Sequence, residues 1–134
     1  MVSSTSSVLL AAPHHGLAEG SRSLLGTAFD AVVMVADERS LCESAHRLEP
    51  RLAVVDLALA HGDIGGLIHR IRLRCPGLKV ILLGAHDEPA VVQAAMKAGA
   101  EGLVAKREIA TDLLPAVEGV LRGERHFPPC EAVK

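Results

Sequence analysis

The chain has 134 residues, 49% of them hydrophobic, which is the size of one ordinary domain and excludes a chain that is disordered throughout. Its formal net charge is −2, and basic and acidic residues are mixed without a Lys/Arg block, so nothing indicates a surface for nucleic acid or anionic membrane. Two Phe and no Trp or Tyr require an aliphatic core.

Short apolar runs alternate with longer amphipathic runs along the chain. In chain order, the sequence predicts strand 8–12, helix 17–25, strand 31–36, helix 38–48, strand 52–57, helix 64–74, strand 79–84, helix 89–98, strand 101–106 and helix 111–122. Asp37 is the predicted N-cap of the second helix and Gly99 closes the fourth. Thr111 is the predicted cap of the last helix, which places Pro115 in its first turn.

The predicted strands are nearly continuous in apolar residues instead of alternating. This pattern favours an α/β fold of three layers, in which helices cover both faces of a five-stranded parallel sheet. Residues 1–7 are predicted to be a disordered tail, 8–123 the domain, and 124–134 a linker or C-terminal tail. No apolar run approaches the length of a membrane span, and the N-terminus has no features of a signal peptide.

Three widely spaced cysteines, Cys42, Cys75 and Cys130, form no paired framework and no metal-binding motif. We interpret them as free thiols in a reducing compartment, which predicts a cytoplasmic protein.

The carboxyl ends of the predicted strands are where a ligand would bind in such a fold. Asp56 ends an otherwise apolar strand, where an unpaired carboxylate would cost free energy. Lys106 ends another strand at the same edge and is the natural partner. An ordinary ion pair at a sheet edge and a functional site are both compatible with this pattern.

Several segments resemble the receiver domain of two-component response regulators, in particular its NarL-like subfamily. They are VVDLALAHGDIGG (54–66), KVILLGAHDEPAVVQAAMKAGAEGLVAK (79–106), AVEGVLRGERHFPP (116–129) and LAEGSRSLL (17–25). The resemblance covers roughly residues 8–129. It implies a flavodoxin-like (βα)5 fold with strand order 2-1-3-4-5 and a role in phosphorelay signal transduction.

The resemblance places Asp56 on the phosphoacceptor position and Lys106 on the lysine that contacts the phosphoryl group. The family's other functional positions do not match. Two acids that hold Mg²⁺ are replaced by Ala12 and Pro13, and a hydroxyl residue at the end of the fourth strand is replaced by Gly84. The switch aromatic in the fifth strand is replaced by Leu103.

Mg²⁺ prefers hard oxygen ligands in near-octahedral order. Asp56, the backbone carbonyl of Ala58 and waters would be its remaining ligands, so we expect no firm cofactor and weak Mg²⁺ binding at most. The resulting hypothesis is a non-enzymatic, atypical receiver that is weakly or never phosphorylated and acts as a protein-interaction module.

Two other classes of function were weighed. Four loop histidines at the Asp56 edge, His14, His15, His61 and His86, could bind a transition metal, although their spacing matches no compact motif. An enzyme is disfavoured, because no phosphate-binding glycine loop or nucleophile elbow is present. Cobalamin-binding domains share this architecture, but Pro13-His14-His15-Gly16 lacks their Asp-x-His-x-x-Gly loop.

The resemblance implies a protein partner, either a histidine kinase or an output domain, and allows a homodimer. Its partner surface is the face of helix four, strand five and helix five, with candidates Val91, Gln93, Lys97, Leu103 and Glu118. Direct nucleic-acid binding by this chain is not expected, because the subfamily's helix-turn-helix domain follows the linker.

Overall fold

The structure, a computed structural model, describes residues 7–13, 15–85 and 88–128. Five parallel strands form one sheet in the order β2-β1-β3-β4-β5. The strands are β1 (Ser7–Ala11), β2 (Ala31–Val35), β3 (Leu52–Asp56), β4 (Lys79–Gly84) and β5 (Gly102–Ala105). The helices are α1 (His15–Leu25), α2 (Glu38–Leu48), α3 (Ile64–Arg74), α4 (Pro89–Ala98) and α5 (Ile109–Leu121). The predicted fold class and strand order are confirmed.

Helices cover both faces of the sheet, and each face has its own aliphatic core. Side chains of α2, α3 and α4 pack on one face, and those of α1 and α5 pack on the other. Successive strand residues point to opposite faces, so a strand buried on both sides needs apolar residues at every position. The fully buried run Leu52–Val55 shows this pattern.

Four predicted elements, α2, α3, β4 and α4, begin and end at the predicted residues. Asp37 is confirmed as the N-cap of α2, because its Oδ1 accepts a hydrogen bond from the Ser40 N–H at 2.8 Å. That bond holds the pKa of the Asp37 carboxyl below its ordinary value. Gly99 is confirmed as the C-cap of α4, with a φ of 94° that favours glycine.

The predicted start of the last helix was wrong. A single 3₁₀ turn over Lys106–Glu108 leads directly into α5 at Ile109. The Thr111 hydroxyl therefore lies inside the helix and donates to the Glu108 carbonyl at 3.4 Å instead of capping an N–H group. Pro115 lies in the helix interior rather than in the first turn.

The other boundaries shift by one or two residues. Leu57, predicted in β3, belongs to a 3₁₀ turn over Leu57–Ala60, because the Asp56 side chain binds the Ala58 N–H and turns the chain. Ser7, predicted in the tail, is the first residue of β1 and pairs with Ala31. The rest of the predicted tail lies outside the described residues. Among the helices that the structure describes, none is long and apolar enough to cross a membrane.

Residues 124–128, which the sequence assigned to a linker, run along the outer edge of β5. The main chain of His126 forms a parallel bridge with Gly102. We call residues 124–128 the C-terminal strap. The remainder of the predicted linker, residues 129–134, lies outside the described part of the chain.

One buried hydroxyl in α1 generates a stability prediction. Ser21 is fully buried, and its Oγ has no hydrogen-bond partner among the described residues. An unsatisfied buried hydroxyl costs free energy, so Ser21→Ala should raise the free energy of unfolding by about 1 kcal/mol more than Ser23→Ala. Ser23 is exposed in the same helix, so the control carries the same gain in helix propensity. Urea denaturation measures both, and equal effects would show that Ser21 is already satisfied.

Candidate functional site

The register of the sheet brings five predicted site positions to one edge. Ala11 pairs with Val55, so Ala12 and Pro13 emerge beside Asp56. On the other side of β3, Asp56 pairs with Leu83, so Gly84 is one residue beyond it. Gly84 in turn pairs with Ala105, and Lys106 follows directly. The carboxyl ends of β1, β3, β4 and β5 therefore define the candidate site, as the sequence predicts for a doubly wound sheet.

Asp56 is the buried charge of this edge. The residue is 3% exposed. Its Oδ1 accepts a hydrogen bond from the Ala58 N–H at 2.9 Å, and its Oδ2 lies 2.9 Å from Lys106 Nζ. The Lys106 side chain is 21% exposed, so the ammonium reaches the carboxylate from the rim. Both carboxylate oxygens are thus engaged, which offsets the cost of burying the charge.

The chain after Asp56 is folded by local caps. The 3₁₀ turn Leu57–Ala60 ends at His61, whose φ of 49° is left-handed, and Gly62 follows with a φ of 85°. Asp63 then caps α3 by accepting from the Gly66 N–H at 2.9 Å. A Cβ on Gly66 would clash with the Asp63 carboxylate, so a larger residue there would displace the capping side chain. These turns fix the rim of the site between β3 and α3.

The donor atoms present do not suit Mg²⁺. Of the strand-end side chains, those of Ala12, Pro13 and Gly84 offer no oxygen. Among the side chains that the structure describes, no group of three or more His, Cys, Asp or Glu could hold a metal ion. Mg²⁺ is usually held by one or two carboxylates together with substrate oxygens. Of the described residues that end the strands, Asp56 alone supplies a carboxylate, and it is already paired with Lys106. The described residues therefore do not fit a magnesium site.

Leu103 lies inside the molecule. It is fully buried in the core shared with α2, α3 and α4. The resemblance predicted that Leu103 lies on the partner surface. That prediction was wrong, because a side chain with no exposed area cannot contact another protein directly. Gln93, Lys97 and Glu118 are exposed, and Val91 is partly buried.

The structure describes two of the four histidines that the sequence suggests as ligands of a transition metal. His61 is exposed in the turn after β3, and His15 is the first residue of α1. His14 and His86 lie outside the described residues. Binding of a transition metal by these four histidines stays a prediction.

The sequence analysis did not predict two ion pairs that hold α3 in place. Arg70 Nε and Nη2 lie 2.7 and 2.9 Å from the Glu38 carboxylate oxygens, which ties α3 to α2. Arg72 Nη2 lies 2.9 Å from Glu101 Oε1, which also accepts from the Val80 N–H at 2.8 Å. The partners are 32 and 29 residues apart, so no local spacing could have indicated them.

The fold and the edge pair define a class of protein, a doubly wound α/β domain with one buried Asp–Lys pair at the carboxyl edge of its sheet. The family model described as "Response regulator receiver domain" matches residues 8–118. The chain belongs to the response regulator receiver family. The resemblance drawn from the sequence is thereby confirmed.

Individual relatives agree with this assignment. The response regulator protein VraR of Staphylococcus aureus is 31% identical over 132 residues, which cover 97% of this chain and 63% of VraR. The chain therefore spans less than two thirds of the curated relatives that it matches.

Two solved structures share the fold. The isolated receiver domain of RcsB from Salmonella enterica serovar Typhimurium superimposes with a TM-score of 0.83 at 27% identity, covering 95% of this chain and 96% of that one. A LuxR-family response regulator from Aurantimonas sp. SI85-9A1 gives 0.81 at 28% identity, covering 94% and 91%.

The edge pair generates a thermodynamic prediction. Lys106→Met removes the ammonium and leaves the Asp56 carboxylate buried without its cation, so the free energy of unfolding should fall by about 3 kcal/mol. This is the lower end of the range for buried pairs, because the Lys106 side chain is 21% exposed. Asp56→Asn combined with Lys106→Met should recover part of that loss, because the neutral amide does not need the cation. Urea denaturation of Lys106→Met, Asp56→Asn and the double variant gives the three free energies of unfolding that the double-mutant cycle needs. Additive changes in the free energy of unfolding would show that the two side chains do not interact.

Proposed function

We propose that this domain is an atypical receiver, in which Asp56 is poorly phosphorylated and the folded surface serves to bind another protein. The observation that carries the proposal is the composition of the described strand ends. The Asp56 carboxylate is paired with Lys106, and the side chains of Ala12, Pro13 and Gly84 offer no oxygen ligand. The role of Asp56 as phosphoacceptor comes from the family alone, since Asp56 occupies the corresponding strand end.

The electrostatics of phosphoryl transfer supports the proposal. A carboxylate that attacks a phosphoryl donor approaches a group of the same sign of charge. Two unit charges 4 Å apart interact by about 4 kcal/mol at an effective dielectric constant of 20. Each 1.36 kcal/mol left in the barrier lowers the rate about tenfold. Receiver sites depend on a cation clamp to offset this repulsion, and the described residues supply the Lys106 ammonium but not the acids of such a clamp.

The geometry of the resting pair supports it further. Asp56 Oδ2, the oxygen that faces Lys106, is already occupied at 2.9 Å, and Oδ1 is held by a main-chain N–H. Attack by either oxygen would first give up a charge-assisted or backbone hydrogen bond. Gly84 provides no hydroxyl to receive a phosphoryl oxygen on the neighbouring strand. The pair is consequently suited to holding one conformation of the site.

The partner proposed for this module is a histidine kinase or an output domain of a regulator. The support is family membership, together with the exposed polar side chains Gln93 and Lys97 on α4 and Glu118 on α5. The match covers only 63% of the response regulator protein VraR. An output region outside the receiver domain is therefore part of this proposal.

Acetyl phosphate tests the phosphorylation part of the proposal. When the chain is incubated with acetyl phosphate and Mg²⁺ and its intact mass is followed, the unmodified mass should persist, because among the described residues the Lys106 ammonium offsets the repulsion without the acids that would hold a metal ion. Asp56→Asn is the control for modification elsewhere. Rapid and near-complete addition of one phosphoryl group in the wild type, absent from Asp56→Asn, would contradict the proposal.

Restoring the missing groups should restore the chemistry. The triple variant Ala12→Asp, Pro13→Asp and Gly84→Thr supplies two carboxylates and one hydroxyl to the edge that holds Asp56. Its phosphorylation rate with acetyl phosphate and Mg²⁺ should rise by at least about tenfold over wild type.

The matched control places Asn at positions 12 and 13 and Thr at position 84, which keeps the shape but not the charge. Circular dichroism would show that both variants are folded. Equal rates in the two variants, with both folded, would mean that the replaced acids are not what limits phosphorylation.

A further inference from the structure

The outer edge of β5 is covered by the C-terminal strap, residues 124–128. The Leu103 N–H donates to the His126 carbonyl at 2.9 Å, and the His126 N–H donates to the Glu101 carbonyl at 3.0 Å. The strap thus continues the sheet in the parallel direction at its last strand. An edge strand presents unpaired main-chain groups that can pair with another extended segment, and here part of that edge is filled.

Side chains of the strap contact elements on both sides of β5. Arg125 Nη2 donates to the Ala100 and Met96 carbonyls, at 3.1 and 3.3 Å, where α4 ends. A cation at a helix C-terminus is favoured by the helix dipole. The imidazole Nε2 of His126 lies 2.9 Å from Asp112 Oδ1 on α5.

The aromatic residue of the strap completes the contact. Phe127 packs against the core on the α2, α3 and α4 face of the sheet. The Arg125 guanidinium lies 5.5 Å from the centre of the Phe127 ring, within the range of a cation–π interaction. A basic residue, a hydrogen-bonding residue and an aromatic residue in succession therefore match three features of this edge.

The edge is also shaped for a close main-chain approach. A Cβ on Gly102 would lie 3.0 Å from the His126 carbonyl oxygen, so any larger residue at position 102 would push the strap away. Two residues, Arg122 and Gly123, connect α5 to the strap. Gly123 has a φ of 95°, and nothing else lies within 4 Å of the position that its Cβ would take.

We propose that the edge of β5 is a binding site for an extended segment that runs parallel to it, and that the strap of a second copy of this chain can replace the resident one. The contacts of residues 125–127 are the same whichever copy supplies them, so the cost of exchange lies at the hinge. There the Gly123 N–H donates to the Val120 carbonyl at 3.0 Å and the Glu124 N–H donates to the Gly119 carbonyl at 2.9 Å. Strand addition to a sheet edge is a general mode of recognition, with main-chain bonds providing affinity and side-chain pockets providing specificity. The proposal does not depend on whether Asp56 is phosphorylated.

The hinge offers a variant that opens the strap without touching its contacts. Gly123→Val places a β-branched residue at a positive φ, which disfavours the closed hinge and should raise the open population about tenfold. Gly77→Val is the matched control, because Gly77 lies in an open turn, has no positive φ and is remote from the strap in sequence. Hydrogen exchange of the Leu103 amide should be faster in Gly123→Val and unchanged in Gly77→Val.

Binding in trans is measured with two probes. A fluorescein-labelled peptide of residues 122–128 should bind Gly123→Val about tenfold more tightly than it binds wild type or Gly77→Val. Light scattering over a concentration series should show a larger dimer fraction for Gly123→Val. Adding Asp112→Ala to Gly123→Val should weaken peptide binding, because the side-chain oxygen that bonds His126 is removed.

Three results would overturn the proposal. Leu103 exchange that does not change in Gly123→Val would make the strap a fixed part of the domain. Faster exchange without peptide binding would mean that the opened edge does not accept a second segment. Peptide binding that is insensitive to Asp112→Ala, together with a dimer fraction equal to that of Gly77→Val, would place the contact elsewhere.

Discussion

The ion pair of Asp56 and Lys106 is the interaction on which the rest of the site depends. A carboxylate 3% exposed at the end of an apolar strand is tolerable because an ammonium and a main-chain N–H each bind one of its oxygens. The bond to the Ala58 N–H turns the chain after β3, and the bond to Lys106 joins the ends of β3 and β5. Structure and chemistry at this edge therefore share one pair of side chains, and a change to either residue affects both.

Much of the fold could be predicted because its signals are local. Continuous apolar strands, capped amphipathic helices and alternating element order predicted the layers, and Asp37 and Gly99 marked helix ends by their own chemistry. The last helix began earlier than Thr111 indicated, since a 3₁₀ turn made of charged residues carries no periodic signal. The convergence of Asp56 and Lys106 was predictable from topology, because the carboxyl ends of parallel strands meet at one edge.

Contacts between side chains that are far apart in the sequence could not be predicted from local patterns. The Arg72–Glu101 pair joins residues far apart in sequence, and many pairings of Arg with Glu were available in a chain of mixed charge. Docking of the strap depends on the absence of a side chain at Gly102 and on the backbone of His126, neither of which has a sequence pattern of its own. Burial of Leu103 was likewise decided by the packing of three helices, and it removes that residue from the surface that the resemblance suggested.

A magnesium titration followed by backbone NMR tests the central claim most directly, because it observes the site without requiring a phosphoryl donor. If Asp56 stands without metal-binding neighbours, the amide resonances of Ala12, Ala58 and Gly84 should move only slightly and without saturation as Mg²⁺ is raised through the millimolar range. Saturating shifts centred on these three amides at submillimolar Mg²⁺, abolished by Asp56→Asn, would contradict the account.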